Sequence, residues 1–328
     1  MRILIVKLSS LGDIVHAMPV VHDILGAHPQ ARIDWAVEPG FAPLLARMRG
    51  LAGVIECPVR RWTRSWWSAR TRREWRALRA RLAAAPYDAI LDLQGLTKSA
   101  VVARLARGTR YGLAAATEGA SHEWPARWLV DHAIAIEPHT HALDRSRELA
   151  ARALGYRVEG RPEFGLRSAE GAPGGDPPVV LFVHGSSRAD KLWPEADWVA
   201  LGHRVASDGW RIALPQAGAE EAERAARLAA AIGDAATVWP PLDLGAVVDR
   251  MQSVQGAIGV DSGLSHIAVA LDLPHVQLYN FPTAWRTGPL PAHGHRHQVA
   301  VEARPAPALD AVWSAWQGVR PSIAAPLR

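Results

Sequence analysis

A single cysteine, Cys57, is the only thiol in this 328-residue chain. That excludes an internal disulfide framework and a cysteine-rich zinc site, and it fits a cytosolic setting. No apolar stretch reaches the roughly 18 residues that a membrane-spanning helix needs, so none is expected. A secretory leader is not expected either, because Arg2 opens directly into a strand-like run that Lys7 interrupts. Neither half carries G-x-G-x-x-G after its first strand, nor G-x-x-x-x-G-K-[ST]. Dinucleotide oxidoreductases and P-loop NTPases therefore lose ground. There is no short internal repeat and no low-complexity tract beyond a bias to Ala and Arg.

What is present is a soluble globular balance, 49% apolar and 21% charged, long enough for two domains of about 150 residues each. The net charge is +5, with arginine supplying almost all of the positive side. Between Arg60 and Arg81 nine arginines face one acid, Glu74. Such a run suits phosphate or carboxylate partners: nucleic acid, anionic lipid or an acidic glycan. A solvated helix face in an Arg-rich chain fits it too. The same stretch sets Trp67, Trp75, Leu78 and Leu82 at helical spacing, which suits an interfacial helix on anionic lipid or a plain core-facing one.

Strand-like runs fall at Arg2–Leu8, Arg32–Val37, Gly53–Val59, Ala89–Leu93 and Ala133–Ile136, with helical spacing at Val20–Leu25, Glu74–Leu82 and Asp144–Leu154. Gly, Pro and small polar residues over 167–178 read as a linker. Alternation then resumes with short apolar strands at Val179–Val183, Ile212–Leu214, Ala257–Val260 and Val276–Leu278, as parallel strands buried on both faces should look. The expected fold is α/β: two Rossmann-like, doubly wound domains, 1–166 and 179–307, facing a central cleft, with 308–328 as a C-terminal helix crossing back to the first domain.

Three strand–loop–helix stretches carry candidate chemistry. "KLSSLGDIVHAMP" delivers one carboxylate, Asp13, after small polar residues that include Ser10 and Gly12. "HGSSRADKLWP" delivers Ser186, Ser187 and a cation, Lys191. Hydroxyls and backbone N–H groups beside a lysine suit a diphosphate, and an ordinary loop with a surface lysine fits as well. "GVDSGLSHIAVALDLP" runs through Asp261, Ser262 and Gly263 into a helix, with His266 four residues past Ser262. A capped helix start with a hydroxyl and an imidazole on one side is a natural anion site. Glu220 and Glu221 open another helix, where acids complement the helix dipole or accept from ribose hydroxyls. His139, His141 and Asp144 match no familiar zinc spacing, and no metal is expected.

Taken in order, "ILIVKLSSLGDIVHAMP", "RRW" at 60–62, "YDAILDLQGLTKSA", "RSRELAARALGY", "HGSSRADKLWP" and "GVDSGLSHIAVALDLP" resemble the lipopolysaccharide heptosyltransferases. The resemblance covers residues 1–112 and 141–280 well. It implies an inverting GT-B transferase without metal or other cofactor, with ADP-L-glycero-D-manno-heptose as donor. The acceptor would be the inner Kdo of Kdo2–lipid A, at the cytoplasmic face of the inner membrane, with peripheral contact to its anionic surface. The family's base falls on Asp13, with Lys191 beside the leaving group. Donor-binding positions fall on Ser186, Ser187, Lys191, Glu221, Asp261, Ser262, Gly263 and His266. Acceptor positions fall on Ser10, Gly12, Arg60 and Arg61. For Glu221 the resemblance favours ribose binding over the dipole reading.

In-line displacement at an anomeric carbon needs a proton acceptor on one side and positive potential on the other. The expected layout answers this with Asp13 in the first domain and the cationic loop in the second. A helix start and nearby arginines should lower the Asp13 pKa, so it would act late, as the acceptor hydroxyl becomes acidic. The turn "YNFPTAWRTGPLP" departs from the family's Gly-Pro-Thr type, and 113–140, with Arg127 as a basic residue, matches poorly. Nucleic acid is disfavoured because the aromatics form no stacking strip. The alternatives are addition of a second heptose, a GT-B-like nucleotide-sugar epimerase and a non-catalytic glycan- or lipid-binding protein.

Overall fold

The structure is a computed structural model, and it describes residues 1–117, 122–166 and 177–321. Most of the expected linker and the last seven residues lie outside these. The chain forms two compact units, Met1–Arg167 and Ser168–Arg328. Each is built on a six-stranded sheet in which every pairing between strands is parallel.

In the first unit the strands are β1 (Arg2–Val6), β2 (Arg32–Val37), β3 (Gly53–Glu56), β4 (Ala89–Asp92), β5 (Thr109–Leu113) and β6 (His132–Ile134), in the order β3-β2-β1-β4-β5-β6. The second unit holds β7 (Val179–Val183), β8 (Arg211–Leu214), β9 (Ala236–Val238), β10 (Gly256–Val260), β11 (His275–Tyr279) and β12 (Gln298–Glu302), ordered β12-β11-β10-β7-β8-β9. Counted from each unit's first strand, the two orders are the same. Both reverse direction beside the first strand, between β1 and β4 and between β7 and β10. Ile3–Val6 and Val180–Phe182 have no exposed side-chain surface, because helices cover both faces of such sheets.

The expected strands all form, shifted by a few residues at their ends. β5, β9 and β12 are additional. The helix expected at Glu74–Leu82 starts earlier, at Ala69, where Ser68 Oγ accepts from the Thr71 N–H at 3.0 Å. Its apolar stripe is not one face. Leu78 and Leu82 join the first core with Leu4, Ile90 and Trp62, whereas Trp67 lies outside the helix and is exposed. The reason is that Ser68 ends the preceding turn and breaks the spacing.

The second core is rich in indoles, with edge-to-face pairs Trp193–Trp198 at 5.1 Å and Trp210–Trp316 at 5.3 Å. The C-terminal helix forms at Leu309–Val319 and buries Val312, Trp316 and Val319 in that second core. Trp316 sits where a side chain on Gly256 would stand, 2.6 Å from the position of a Cβ.

The helix Ala142–Leu154 is fastened to the helix Pro19–Ala27 by a buried pair: Arg147 Nε and a terminal nitrogen donate to the two Asp23 oxygens at 2.7 Å each. Removing one partner of such a pair leaves a buried charge uncompensated, typically at a cost of about 3–5 kcal/mol. Asp23→Ala should lose stability on that scale in urea unfolding of the first unit. An Asp23→Leu/Arg147→Leu double variant should lose markedly less; equal losses would show that packing, not charge, is what the pair supplies.

Candidate active site

Parallel sheets of this kind bind ligands beyond the carboxyl ends of their strands, where the strand order reverses. Asp13 lies at that point in the first unit, and Ser186, Lys191, Asp261, Ser262 and His266 lie there in the second.

In the first unit, β1 leads through Lys7–Ser10 into the short helix Leu11–Ala17, which carries Asp13 and Gly12 in its first turn. Asp13 Oδ2 accepts from the Ser10 backbone N–H at 3.1 Å and from Ser10 Oγ at 2.7 Å. The Ser10 hydroxyl therefore aims the carboxylate, which in turn satisfies the Ser10 N–H at the helix end. Burial pushes the Asp13 pKa up, but the Lys7 ammonium, both Ser10 hydrogen bonds and Arg145 outweigh it and hold the carboxyl below its ordinary value. The lowering was expected from a helix start and nearby arginines; the cations responsible are Lys7, just past the end of β1, and Arg145, from the helix Ala142–Leu154.

Lys7 is itself buried, and its Nζ donates to the Leu93 carbonyl at 2.9 Å. Burial lowers its pKa against the pull of Asp13. At the end of β4, Asp92 accepts from the N–H groups of Gln94 and Gly95 at 3.0 and 3.3 Å and from Ser99 Oγ at 3.0 Å. Burial still raises its pKa to about 6. Gln94 crosses the switch point by accepting from the Leu8 N–H at 2.7 Å.

Arg60 and Arg61 lie on a different element, the helix Val59–Arg64 after β3. The Arg60 N–H donates to Glu38 Oε1 at 2.8 Å, and the Glu38 N–H to the Leu8 carbonyl at 3.1 Å, so this helix is tied to the same sheet end. Arg61 pairs with Glu74 at 2.6 Å. Together with Glu38, Pro39, Pro58 and Arg64 they border a cavity of about 670 Å³.

The second unit gathers its residues more tightly. Lys191 Nζ stands 2.6 Å from Asp261 Oδ2, and His266 Nε2 stands 3.4 Å from Asp261 Oδ1. Burial favours the neutral acid, but His266 and Lys191 prevail and hold the Asp261 carboxyl well below the usual range. His266 is buried, not the exposed histidine of an ordinary capped helix. Ser186 Oγ donates to the Asp261 carbonyl at 3.4 Å, linking the loops after β7 and β10. Ser187 is exposed in the same loop. Ser262 is the N-cap of the helix Gly263–Ala270, yet its buried Oγ has no hydrogen-bond partner among the described residues. A hydroxyl held at a helix start without a protein partner is available to a ligand.

Glu221, in the first turn of the helix Ala219–Ile232, lies over Gly185, where a Cβ would fall 1.6 Å from Glu221 Oε1. A side chain at 185 would displace this carboxylate, whose pKa burial raises. Sequence reasoning missed Asn280: its Nδ2 donates to the carbonyls of Asp190 and Leu192 at 2.9 and 3.0 Å, clamping the segment that carries Lys191. It belongs to the turn after β11 set apart above as atypical.

The model of Glycosyltransferase family 9 (heptosyltransferase) matches residues 75–311. This chain belongs to glycosyltransferase family 9. It is 38% identical over 283 residues to Lipopolysaccharide heptosyltransferase 1 of Pseudomonas aeruginosa, covering 85% of this chain and 78% of that one. The solved structure of E. coli heptosyltransferase WaaC with ADP superimposes with a TM-score of 0.85 at 33% identity, covering 97% of this chain and 98% of the other. WaaC with ADP-2-deoxy-2-fluoro heptose gives 0.83 at 34% identity, covering 96% and 98%.

In this family 9 chain the two first-unit acids should titrate apart. Carbon-13 NMR should place the Asp13 carboxyl below the ordinary aspartate value of about 3.9 and Asp92 at about 6. Ser10→Ala removes one hydrogen bond to the ionised form and should move Asp13 upward. An unmoved Asp13 would show that Lys7, Arg145 and the Ser10 backbone N–H set it without the hydroxyl.

Proposed function

We propose that this chain is an inverting, metal-independent transferase. It moves L-glycero-D-manno-heptose from ADP-heptose to the inner Kdo of Kdo2–lipid A during lipopolysaccharide inner-core synthesis. One observation carries the reading: a hydrogen-bonded, ionised carboxylate ends one sheet's switch point, while a lysine, an imidazole and a helix start end the other's. The relatives' names, and a solved relative bearing a fluorinated ADP-heptose, support the donor.

In this mechanism the second unit takes the ADP moiety. Glu221 accepts from ribose hydroxyls. Ser186, Ser187, Ser262 and the N–H groups from Gly263 onward receive the diphosphate, with Lys191 supplying positive charge and the His266 imidazole beside it. Asp261 holds Lys191 and His266 in place, so the ligand meets a preset arrangement that does not reorganise as charge grows on the departing diphosphate. The acceptor hydroxyl attacks from the other side of the anomeric carbon and passes its proton to Asp13. A carboxylate kept below its ordinary pKa is a weak base. It suits a transition state in which the glycosidic bond is well formed and the proton already acidic. Arg60 and Arg61 suit the Kdo carboxylate, as guanidinium groups bind carboxylates in bidentate fashion.

No helix among the described residues is long and apolar enough to cross a membrane. Exposed Trp66 and Trp67 beside the arginine run support a peripheral contact with the anionic cytoplasmic face of the inner membrane. Transfer to Kdo2–lipid A but not to the mono-heptosylated acceptor separates this reading from addition of the second heptose. Dependence of turnover on an acceptor separates it from epimerisation.

Purified protein given ADP-heptose and Kdo2–lipid A should form product equally with and without EDTA; loss in EDTA would overturn the metal-free scheme. Asp13→Ala should keep ADP affinity and lose turnover by about 100-fold or more, the scale of a well-placed general base. Equal loss of ADP affinity would contradict its assignment to the acceptor side.

A further inference from the structure

The helix Val59–Arg64 has two unlike sides. Arg60, Arg61 and Arg64 face the basic cavity already described. Val59, Trp62 and Thr63, on the opposite side by helical spacing, border a second cavity of about 700 Å³. Its walls include Trp66, Trp75, Val101 and Val102. Trp66 is 69% exposed and Val101 37% exposed. A concave apolar surface of this size that stays open to water is the mark of a ligand groove.

The charged groups bordering it are Arg72, Arg76, Lys98 and Glu123. Glu123 is already engaged, accepting from the Thr97 N–H at 2.9 Å at the start of the helix Thr97–Leu105. Three cations and one tied acid favour an anionic ligand with an apolar body. A bilayer phospholipid offers that chemistry, but one helix wall separates this groove from the Arg60–Arg61 cavity. That adjacency suits a single molecule whose charged sugar and acyl chain lie on either side of the wall.

We propose that this groove takes one acyl chain of the lipid acceptor, a claim that rests on the acceptor reading above. The chain adds affinity for the acylated acceptor and leaves the chemistry at the sugar unchanged.

Dodecyl phosphate, titrated below its micelle concentration with butyl phosphate as the short-chain control, probes the groove without catalysis. Each buried methylene is worth about fourfold in affinity. The dodecyl compound should bind more than about 100-fold tighter, and Val101→Asp should weaken it about tenfold or more. In transfer assays Val101→Asp should raise KM for detergent-dispersed Kdo2–lipid A by about tenfold and leave KM for the fully deacylated acceptor unchanged. Equal binding of the two phosphates, or equal KM shifts on both acceptors, overturns the groove assignment alone. Weakened dodecyl phosphate binding with an unchanged KM for Kdo2–lipid A gives the groove to bulk phospholipid instead. Failure of the unaltered protein to use either acceptor sinks the transferase reading itself.

Discussion

A parallel sheet whose strand order reverses at its centre sends the chain away to opposite faces at that point. The carboxyl ends of two neighbouring strands are then left without a connection passing over them. This chain makes that reversal twice, at β1/β4 and at β7/β10. The site chemistry follows from it. Short loops leave the buried strands there, helices start there, and backbone N–H groups are left pointing outward for a ligand. What differs between the units is the charge that each loop delivers. The first brings Asp13, aimed by Ser10; the second brings Lys191, aimed by Asp261.

Neither charge stands alone, and the partnering is what makes each usable. An isolated carboxylate at the half-buried end of a helix would drift toward its neutral form. Lys7, Ser10 and Arg145 keep Asp13 ionised. An isolated lysine would spend its rotamer freedom on meeting a diphosphate. Asp261 removes that freedom beforehand, and Asn280 holds the segment that carries the lysine. The cost is that the ammonium is partly neutralised beforehand, so in the proposed mechanism the helix start at Gly263 and the hydroxyl of Ser262 would take a larger share of anion binding than a bare cationic loop would leave them.

Much of this was legible in the sequence wherever function sits next to a continuous apolar run. Val179–Val183 and Ala257–Val260 announce buried strands, and the polar residues following them form the candidate site. The strands that escaped notice lack that signal. Thr109–Leu113 is half-covered over its first three residues, Ala236–Val238 is three residues long, and Gln298–Glu302 lies at a sheet edge with its middle three residues only half-buried. Partners brought in from afar were illegible for a different reason. Arg145 acts on the charge of Asp13, and Asn280 reaches the Lys191 segment, only because each unit folds distant segments together at its own sheet end. The tryptophan stripe misled because spacing alone does not register the break at Ser68.

In the proposed mechanism the nucleotide lies in the second unit and Asp13 is left to the acceptor. Hydrogen–deuterium exchange with and without ADP tests this most directly. Protection should appear in the segments 184–192 and 259–268, with 7–14 exchanging as it does in the free protein. Protection concentrated at 7–14, with the second-unit segments unchanged, would contradict the division of charge on which the mechanism rests.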